Sequence, residues 1–398
     1  MVELAGGMSG ATVKLAQLAD YGEAEFLPEE LRPLHERVIQ LGEPAPRPDW
    51  KATRKLLARE LDEPLKEVFD ELDEEPVATT ATGFVHRGRL QDGREVAVKV
   101  QRSGLAEIVR ADLQTVGLVA EAAKKLAPRL DARAVAAEIR ERVLEGIDYE
   151  WVAGQQRRFA RLFRGHPFVH VPAAIGDLCR ARVLVSEWVD GTDFAGVLEL
   201  GQPERDRVGE MLVRFYAGTP HRAGVADTDP HRGNVLLLED GRLAVLDFGS
   251  VREVPSARLG SMGELCLAAA RRDAPRAAAL AVELGALPEP ERVDMALLIE
   301  TAHSAAGPLL EDGEAGVDAK LLRRAVELAA RADSGVPAAV AAAALPPEDV
   351  MPLRMYGGLI GLLARLEARA NWHAIMREYW AGDEPATELG RQEREFFA

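Results

Sequence analysis

Only two cysteines, Cys179 and Cys266, occur in 398 residues. Their contexts are unrelated and lack metal-ligand spacing, so they read as thiols filling core space in a reducing compartment. Aromatic residues are scarce, at 5%. The core must therefore come largely from aliphatic side chains, and the dominance of Ala and Leu favours helices. Long apolar runs are also missing. The stretch Met355 to Leu366 comes nearest and is interrupted by Arg365, so no bilayer-spanning helix is expected. The N-terminus shows neither the basic nor the apolar region of a signal peptide. Basic charge is in deficit: 49 Lys and Arg stand against 65 Asp and Glu, a net charge of −16. That balance argues against a nucleic-acid backbone as the main partner, although Arg-rich helical stretches leave room for local basic patches. A cytoplasmic location is expected. A peripheral membrane contact stays open, because Leu113 to Leu126 is amphipathic, although core packing explains it equally well.

The chain is long enough for more than one compact unit, and its 47% hydrophobic content supports a sizeable core. Gly10 to Leu41 reads as helices, with a start signal at Leu27-Pro28-Glu29-Glu30. Glu43 to Pro48 reads as a stiff linker. Helix is expected again at Trp50 to Leu61 and Pro64 to Leu72. The pattern then changes to strands: Phe84 to Leu90 and Glu95 to Val100, joined through Asp92-Gly93. Alternation puts Val96, Val98 and Val100 on one face, with Ala97 and Lys99 on the other. Long helices are expected at Glu107 to Leu126 and at Asp131 to Phe163. A strand at Arg182 to Trp188, a helix at Pro203 to Ala217, and an almost wholly helical stretch from Ser256 to Trp380 complete the order.

The richest feature is Asp229-Pro230-His231-Arg232-Gly233-Asn234, followed by Asp247-Phe248-Gly249. Between them, Val235 to Leu238 and Leu243 to Leu246 read as a short hairpin. Pairing Leu238 with Leu243 places Asn234 opposite Asp247. Two oxygen ligands at one end of a hairpin suit Mg²⁺, which takes few protein oxygens and leaves the rest to phosphates and water. An Asp, an Asn five residues on and a later Asp-Phe-Gly is the layout of kinase-like phosphoryl transfer from ATP. Asp229 is then the catalytic candidate, with Asn234 and Asp247 as metal ligands. Lys99, inward-facing on its strand, is the candidate for the nucleotide phosphates. Ala97 on the same face leaves room for a flat adenine, and Val185 to Val189, including Glu187 and Val189, stands where a hinge between lobes offers backbone groups. The loop Ala78-Thr79-Thr80-Ala81-Thr82-Gly83 takes the place of a glycine-rich phosphate loop. Only Gly83 remains there, so the loop must cover a nucleotide differently. Lys99 also needs an acidic partner. Glu138, Glu141, Glu145 and Asp148 share one helix face, and Glu145 or Asp148 could serve.

Together these residues resemble the UbiB/AarF family of atypical kinases, over roughly Gly10 to Trp380. Val96 to Gln101 reads Val-Ala-Val-Lys-Val-Gln, as in the family. Ala78 to Arg87 is similar to its Ala-rich loop and the Val-His-Arg that follows. Lys14-Leu15-Ala16-Gln17 is similar to its Lys-x-Gly-Gln motif, with Ala16 in place of glycine. Gly146-Ile147-Asp148 takes the register of its Glu-x-Asp, with the first glutamate missing, and Asp227 stands where a His often precedes the catalytic Asp.

The resemblance implies an α+β, bilobal protein-kinase-like fold with an N-terminal helical extension. Its implied parts are the extension (1–75), a small β-containing lobe with inserted helices (76–188) and a helical lobe carrying the catalytic and metal-binding loops (189–398). Lys14 and Gln17 would gate the site with Glu145 and Asp148. It implies ATP and Mg²⁺ as cofactors, and ATP hydrolysis or phosphorylation of a small molecule, lipid or quinone precursor in prenyl-lipid or quinone biosynthesis. Two rivals share parts of the pattern: a phosphotransferase of the aminoglycoside-kinase type, and a nucleotide-binding pseudokinase.

Overall fold

A computed structural model describes residues 49–80, 82–105, 109, 113, 128, 129 and 131–398. Lys14, Gln17, Ala81, the 43–48 linker and most of the 107–126 helix lie outside the described residues.

The smaller lobe begins with α1 (Trp50–Leu61) and the single turn α2 (Leu65–Val68). It continues with strands β1 (Phe69–Leu72), β2 (Ala78–Thr79), β3 (Gly83–Leu90) and β4 (Glu95–Gln101). Helices α3 (Ala132–Gly146) and α4 (Tyr149–Leu162) follow, then β5 (Val169–His170), which pairs in parallel with Leu243 and Ala244 of the larger lobe, and β6 (Val183–Glu187), which returns to the smaller one. The sheet runs β1-β3-β4-β6, with β2 on β3. The expected alternation on β4 is present: Val96, Val98 and Val100 are buried under α1 with Leu56, Leu57 and Leu61. Each valine so buried contributes about 1.5–3 kcal/mol, which fixes which face Lys99 must take.

Two expected helices are corrected. Pro64 to Leu72 is not one helix: it turns once and becomes β1, pairing Phe69 with Leu90 and Leu72 with Gly88. Burying Phe69 against the sheet outweighs local helix propensity. Asp131 to Phe163 is two helices, broken at Ile147. The Asp148 carboxylate accepts from the N–H groups of Glu150 (3.0 Å) and Trp151 (3.3 Å), capping α4.

The larger lobe holds β7 (Thr192–Asp193), α5 (Phe194–Leu198), α6 (Gln202–Val213), a π-helical turn (Arg214–Gly218) and α7 (Thr219–Ala223). Strands β8 (Val225–Asp227), β9 (Val235–Leu237), β10 (Leu243–Val245) and β11 (Val251–Glu253) carry the loops of interest. Then come α8 (Ser256–Ala270), α9 (Ala274–Glu283), α10 (Met295–Leu310), β12 (Ala315–Gly316), α11 (Ala319–Ala330), α12 (Val336–Ala342) and α13 (Pro347–Leu366). The chain closes with β13 (Arg369–Ala370), α14 (Trp372–Trp380) and α15 (Glu388–Phe397). Among the described residues no helix is long and apolar enough to cross a membrane.

The buried guanidinium of Arg214 ties α6 to the C-terminal helices through Glu210, Glu378 and Glu393. The last turn of α15 reaches further, to His166 beyond α4. His166 is buried among Phe163, Phe168, Phe396 and Phe397, and its Nδ1 accepts from the Val169 N–H at 3.1 Å. Burial pulls its pKa down to about 3. The unfolded chain therefore takes up a proton below pH 6.5 while the folded chain does not, and stability is lost as pH falls. At pH 5 the loss is about 2 kcal/mol. His166→Asn keeps an acceptor near the Nδ1 position but cannot protonate. The variant should narrow the pH 7 to pH 5 difference in unfolding free energy by about that amount in urea titrations. An unchanged difference would show that His166 does not carry this dependence.

Candidate active site

The hairpin β9–β10 pairs Val235 with Val245 and Leu237 with Leu243. This register differs by one residue from the expected one: Leu238 faces Arg242, and the Leu246 N–H donates to Asn234 O at 2.9 Å. The cause is Gly241, at φ +79°, which closes a three-residue loop where four were expected. Gly93, at φ +87°, does the same between β3 and β4. Asn234 and Asp247 still emerge at the same end of the hairpin, staggered by one residue.

The structure brings Lys99, Asp247, Asp229 and Asn234 together. Lys99 Nζ donates to Asp247 Oδ2 at 2.7 Å, across 148 residues of chain. It also lies 5.3 Å from the ring centre of Tyr149, whose hydroxyl meets Thr82 Oγ1 at 2.9 Å. Burial alone would lower the Lys99 pKa, but the Asp247 carboxylate more than reverses this and holds the ammonium above its ordinary value. Asp247 Oδ1 accepts from the Gly249 N–H at 2.9 Å. Asn234 Nδ2 donates to Asp229 O at 3.2 Å, which leaves Oδ1 as its donor atom for a cation. One carboxylate and one amide oxygen beside an ammonium fit a hard cation bound with phosphates. Among the described residues no group of three or more His, Cys, Asp or Glu side chains could hold a metal alone.

Asp229 is held by a residue that the sequence reading missed. Arg354, on α13, donates through Nη2 to Asp229 Oδ1 at 2.6 Å and through Nη1 to Thr228 O at 3.3 Å. No local signal marks it, since it stands 125 residues away in an Ala-rich helical region. Asp227 is buried on β8 and accepts from the Asp229 N–H at 3.1 Å. Burial, then the neighbouring Asp229 charge, push its carboxyl well above the usual range.

Neither expected acidic partner reaches Lys99. Glu145 is engaged by Arg142, which also pairs with Glu141 and Glu138, while Arg252 takes Glu138 as well. Asp148 is spent on capping α4. At Gly146, where the motif's glutamate is missing, the backbone packs against Gly249: a Cβ added to Gly249 would lie 3.5 Å from Gly146 Cα. With no carboxylate offered from that turn, Lys99 pairs with Asp247.

The loop residues divide. Ala78 and Thr79 are exposed and pair with Val85 and Phe84. Thr80 N donates to Gly83 O at 2.8 Å, and the Gly83 N–H returns a bond to Thr80 Oγ1 at 3.0 Å. Thr82 is buried against Tyr149. Gly83 belongs to β3, and a Cβ there would fall 2.0 Å from Val100 O. Its glycine serves the close strand contact. Ala97 stands opposite Ser186 of β6 on the Lys99 face. At the end of β6, where a hinge was expected, the N–H of Glu187 donates to Ala173 O and that of Trp188 to Glu95 O. The Glu187 carboxylate faces His170, at 3.3 Å. Val189 follows.

The profile of the ABC1 atypical kinase-like domain matches residues 40–281. An uncharacterized protein of Synechocystis, slr0889, is 32% identical over 251 residues, covering 59% of this chain and 61% of its own. The mitochondrial atypical kinase COQ8B of Rattus norvegicus is 30% identical over 244 residues, covering 61% and 46%. The chain thus spans less than two thirds of the length of either relative. A solved structure, the complex of Rv3197 with erythromycin from Mycobacterium tuberculosis, superposes with a TM-score of 0.69 at 27% identity, covering 91% of this chain and 90% of that one.

Gly83→Ala tests the strand role of that glycine. Pushing β3 off β4 should cost about 1–3 kcal/mol, seen as a lower urea midpoint. An unchanged midpoint would mean that the strands are not so closely apposed. With the α+β bilobal architecture and the match over most of its length, the chain belongs to the ABC1 atypical kinase-like family.

Proposed function

We propose that this chain binds Mg·ATP between its lobes and hydrolyses it or transfers its phosphoryl group to a small-molecule, lipid or quinone-precursor acceptor, in support of prenyl-lipid or quinone biosynthesis. The observation that carries the reading is the convergence of Lys99, Asp247 and the Asp229–Asn234 loop from three separate stretches of chain. Lys99 would hold the nucleotide phosphates, and Asn234 and Asp247 the Mg²⁺, which when bound neutralises the phosphate oxygens. Ala97 would face the adenine. With the Glu187 and Trp188 N–H groups already committed, Val189 is the hinge N–H for the adenine edge. Residues 78–83 would cover the nucleotide through side chains and a tight turn. Lys14 and Gln17 would close over the site from the N-terminal extension.

Asp229 would take the proton from the attacking hydroxyl or water. Arg354 orients its carboxylate through the Nη2–Oδ1 bond. The buried Asp227 holds the Asp229 backbone N–H and so fixes the loop.

A second reading, nucleotide binding without turnover, has one observation in its favour. Lys99 pairs with a metal-ligand candidate, Asp247, while the acidic residues of α3 are taken by arginines.

ADP release from Mg·ATP without added acceptor tests the proposal. Asp229→Asn should lower turnover by about 10²–10⁴-fold, as for loss of a general base, with nucleotide binding retained. Turnover no greater in the wild type than in the variant, with binding intact in both, would overturn the hydrolase reading and leave a kinase that needs its acceptor, or the second reading. Arg354→Gln removes the Nη2–Oδ1 bond to Asp229. It should lower kcat at least about tenfold with little change in the KM for ATP, as expected when a charge-assisted hydrogen bond to the base is lost. A change confined to KM would show that Arg354 does not act through Asp229.

A further inference from the structure

We infer that the chain carries a second anion site, outside the nucleotide cleft, which takes a phosphate-bearing ligand at the C-terminal end of α4. A pocket of about 410 Å³ lies there, a volume typical of small-molecule sites. Arg157, Arg161 and Arg164 line it, four and three residues apart, so they share one side of the helix and the turn that follows. This side adjoins the buried face formed by Val152, Gln156 and Phe159.

The three guanidiniums stand out by what they do not bind. Among the described residues none of them has a carboxylate partner, in a chain with 16 more acidic than basic groups. Their neighbours behave otherwise. Arg158 pairs with Glu253 at 3.1 Å, and Arg180 donates to the carbonyls of Asp177 and Cys179. Like charges at this spacing repel, so the helix gains nothing from collecting all three. The helix dipole accounts for a cation in the last turn, which covers Arg161 but not Arg157 a turn earlier.

The rest of the pocket suits an organic phosphate. Ala160, Phe163 and Val171 give it apolar walls. Its one carboxylate, Glu187, is already engaged by His170 Nε2 at 3.3 Å and the Ala173 N–H at 3.2 Å, and does not compete for the arginines. Guanidinium forks match phosphate oxygens in pairs, and three of them around one pocket supply more donors than a single phosphate can accept. Because Glu187 ends the hinge strand β6, a ligand here would sit directly behind the hinge.

The inference does not rest on the proposed activity, and its test separates the two. Isothermal titration of the full chain with inorganic pyrophosphate, at low salt, should show binding. In the double variant Arg161→Gln/Arg164→Gln it should weaken at least about tenfold, the loss expected for charge-assisted hydrogen bonds. Both side chains are exposed, so the melting temperature should not move. Arg158→Gln, with the same charge change one residue from the pocket, should leave binding intact. A parallel sedimentation with phosphatidylglycerol vesicles, against pure phosphatidylcholine, identifies the source of the phosphate. Arginine-dependent binding to the first alone, without pyrophosphate binding, assigns the pocket to a lipid headgroup. Binding of pyrophosphate assigns it to a soluble phosphate. Equal weakening in Arg158→Gln, no weakening in Arg161→Gln/Arg164→Gln, or binding of neither probe would each overturn the site.

Discussion

The ion pair between Lys99 and Asp247 is the constraint on which the rest of the site depends. It joins a strand of the small lobe to the loop after β10 in the large one, at 2.7 Å. Both charges are mostly withdrawn from water, with 14% and 30% of their side chains exposed. An ammonium could not stay charged there alone at low cost, and the Asp247 carboxylate restores its preference for charge. Lys99 has little freedom to do otherwise. The three valines that alternate with it are buried under α1, so its own side chain must leave the sheet on the opposite face. The hydrophobic face of β4 thus aims the ammonium, and electrostatics choose its partner.

That choice follows from a single local substitution of geometry. A carboxylate at Gly146 would stand where α3 ends beside Gly249, but the position has no side chain and the two backbones pack together instead. The other acids of α3 are drawn off by Arg142 and Arg252. The acidic stripe is therefore a brace between α3 and β11, holding the small lobe's inserted helix onto the large lobe. Its role was not visible in spacing alone, because spacing says which residues share a face and not which arginine meets them.

The parts of the fold legible in the sequence were those governed by local rules. Period-two alternation gave β4 its faces, and Asp92-Gly93 gave its turn. The Asp-to-Asn and Asp-Phe-Gly stretches announced their hairpin. Misreadings arose where tertiary contact overrode local preference. Phe69 joined the sheet instead of prolonging a helix, and Asp148 capped α4 where a continuous helix was expected. The hairpin register slipped by one because a positive-φ glycine, Gly241, shortens the loop. Gly83 invited comparison with a phosphate loop, yet its contact with Val100 is between strands. Arg354 could not have been found: nothing within its own helix distinguishes an arginine that reaches Asp229 from one that meets solvent.

Arg354 also completes a balance of charge. Asp227, Asp229 and Asp247 stand close enough that each raises the cost of ionising Asp227. Two cations, Lys99 and Arg354, face them, one from each lobe. Two positive groups can stabilise two carboxylates, and the third, the most deeply buried, is the one whose pKa rises. A bound cation would meet Asp247 already shared with Lys99, so binding it must redistribute that pair, and an arriving phosphate offers the displaced ammonium a new partner. Cation and phosphate are coupled through one side chain, which is the physical reason for them to bind together.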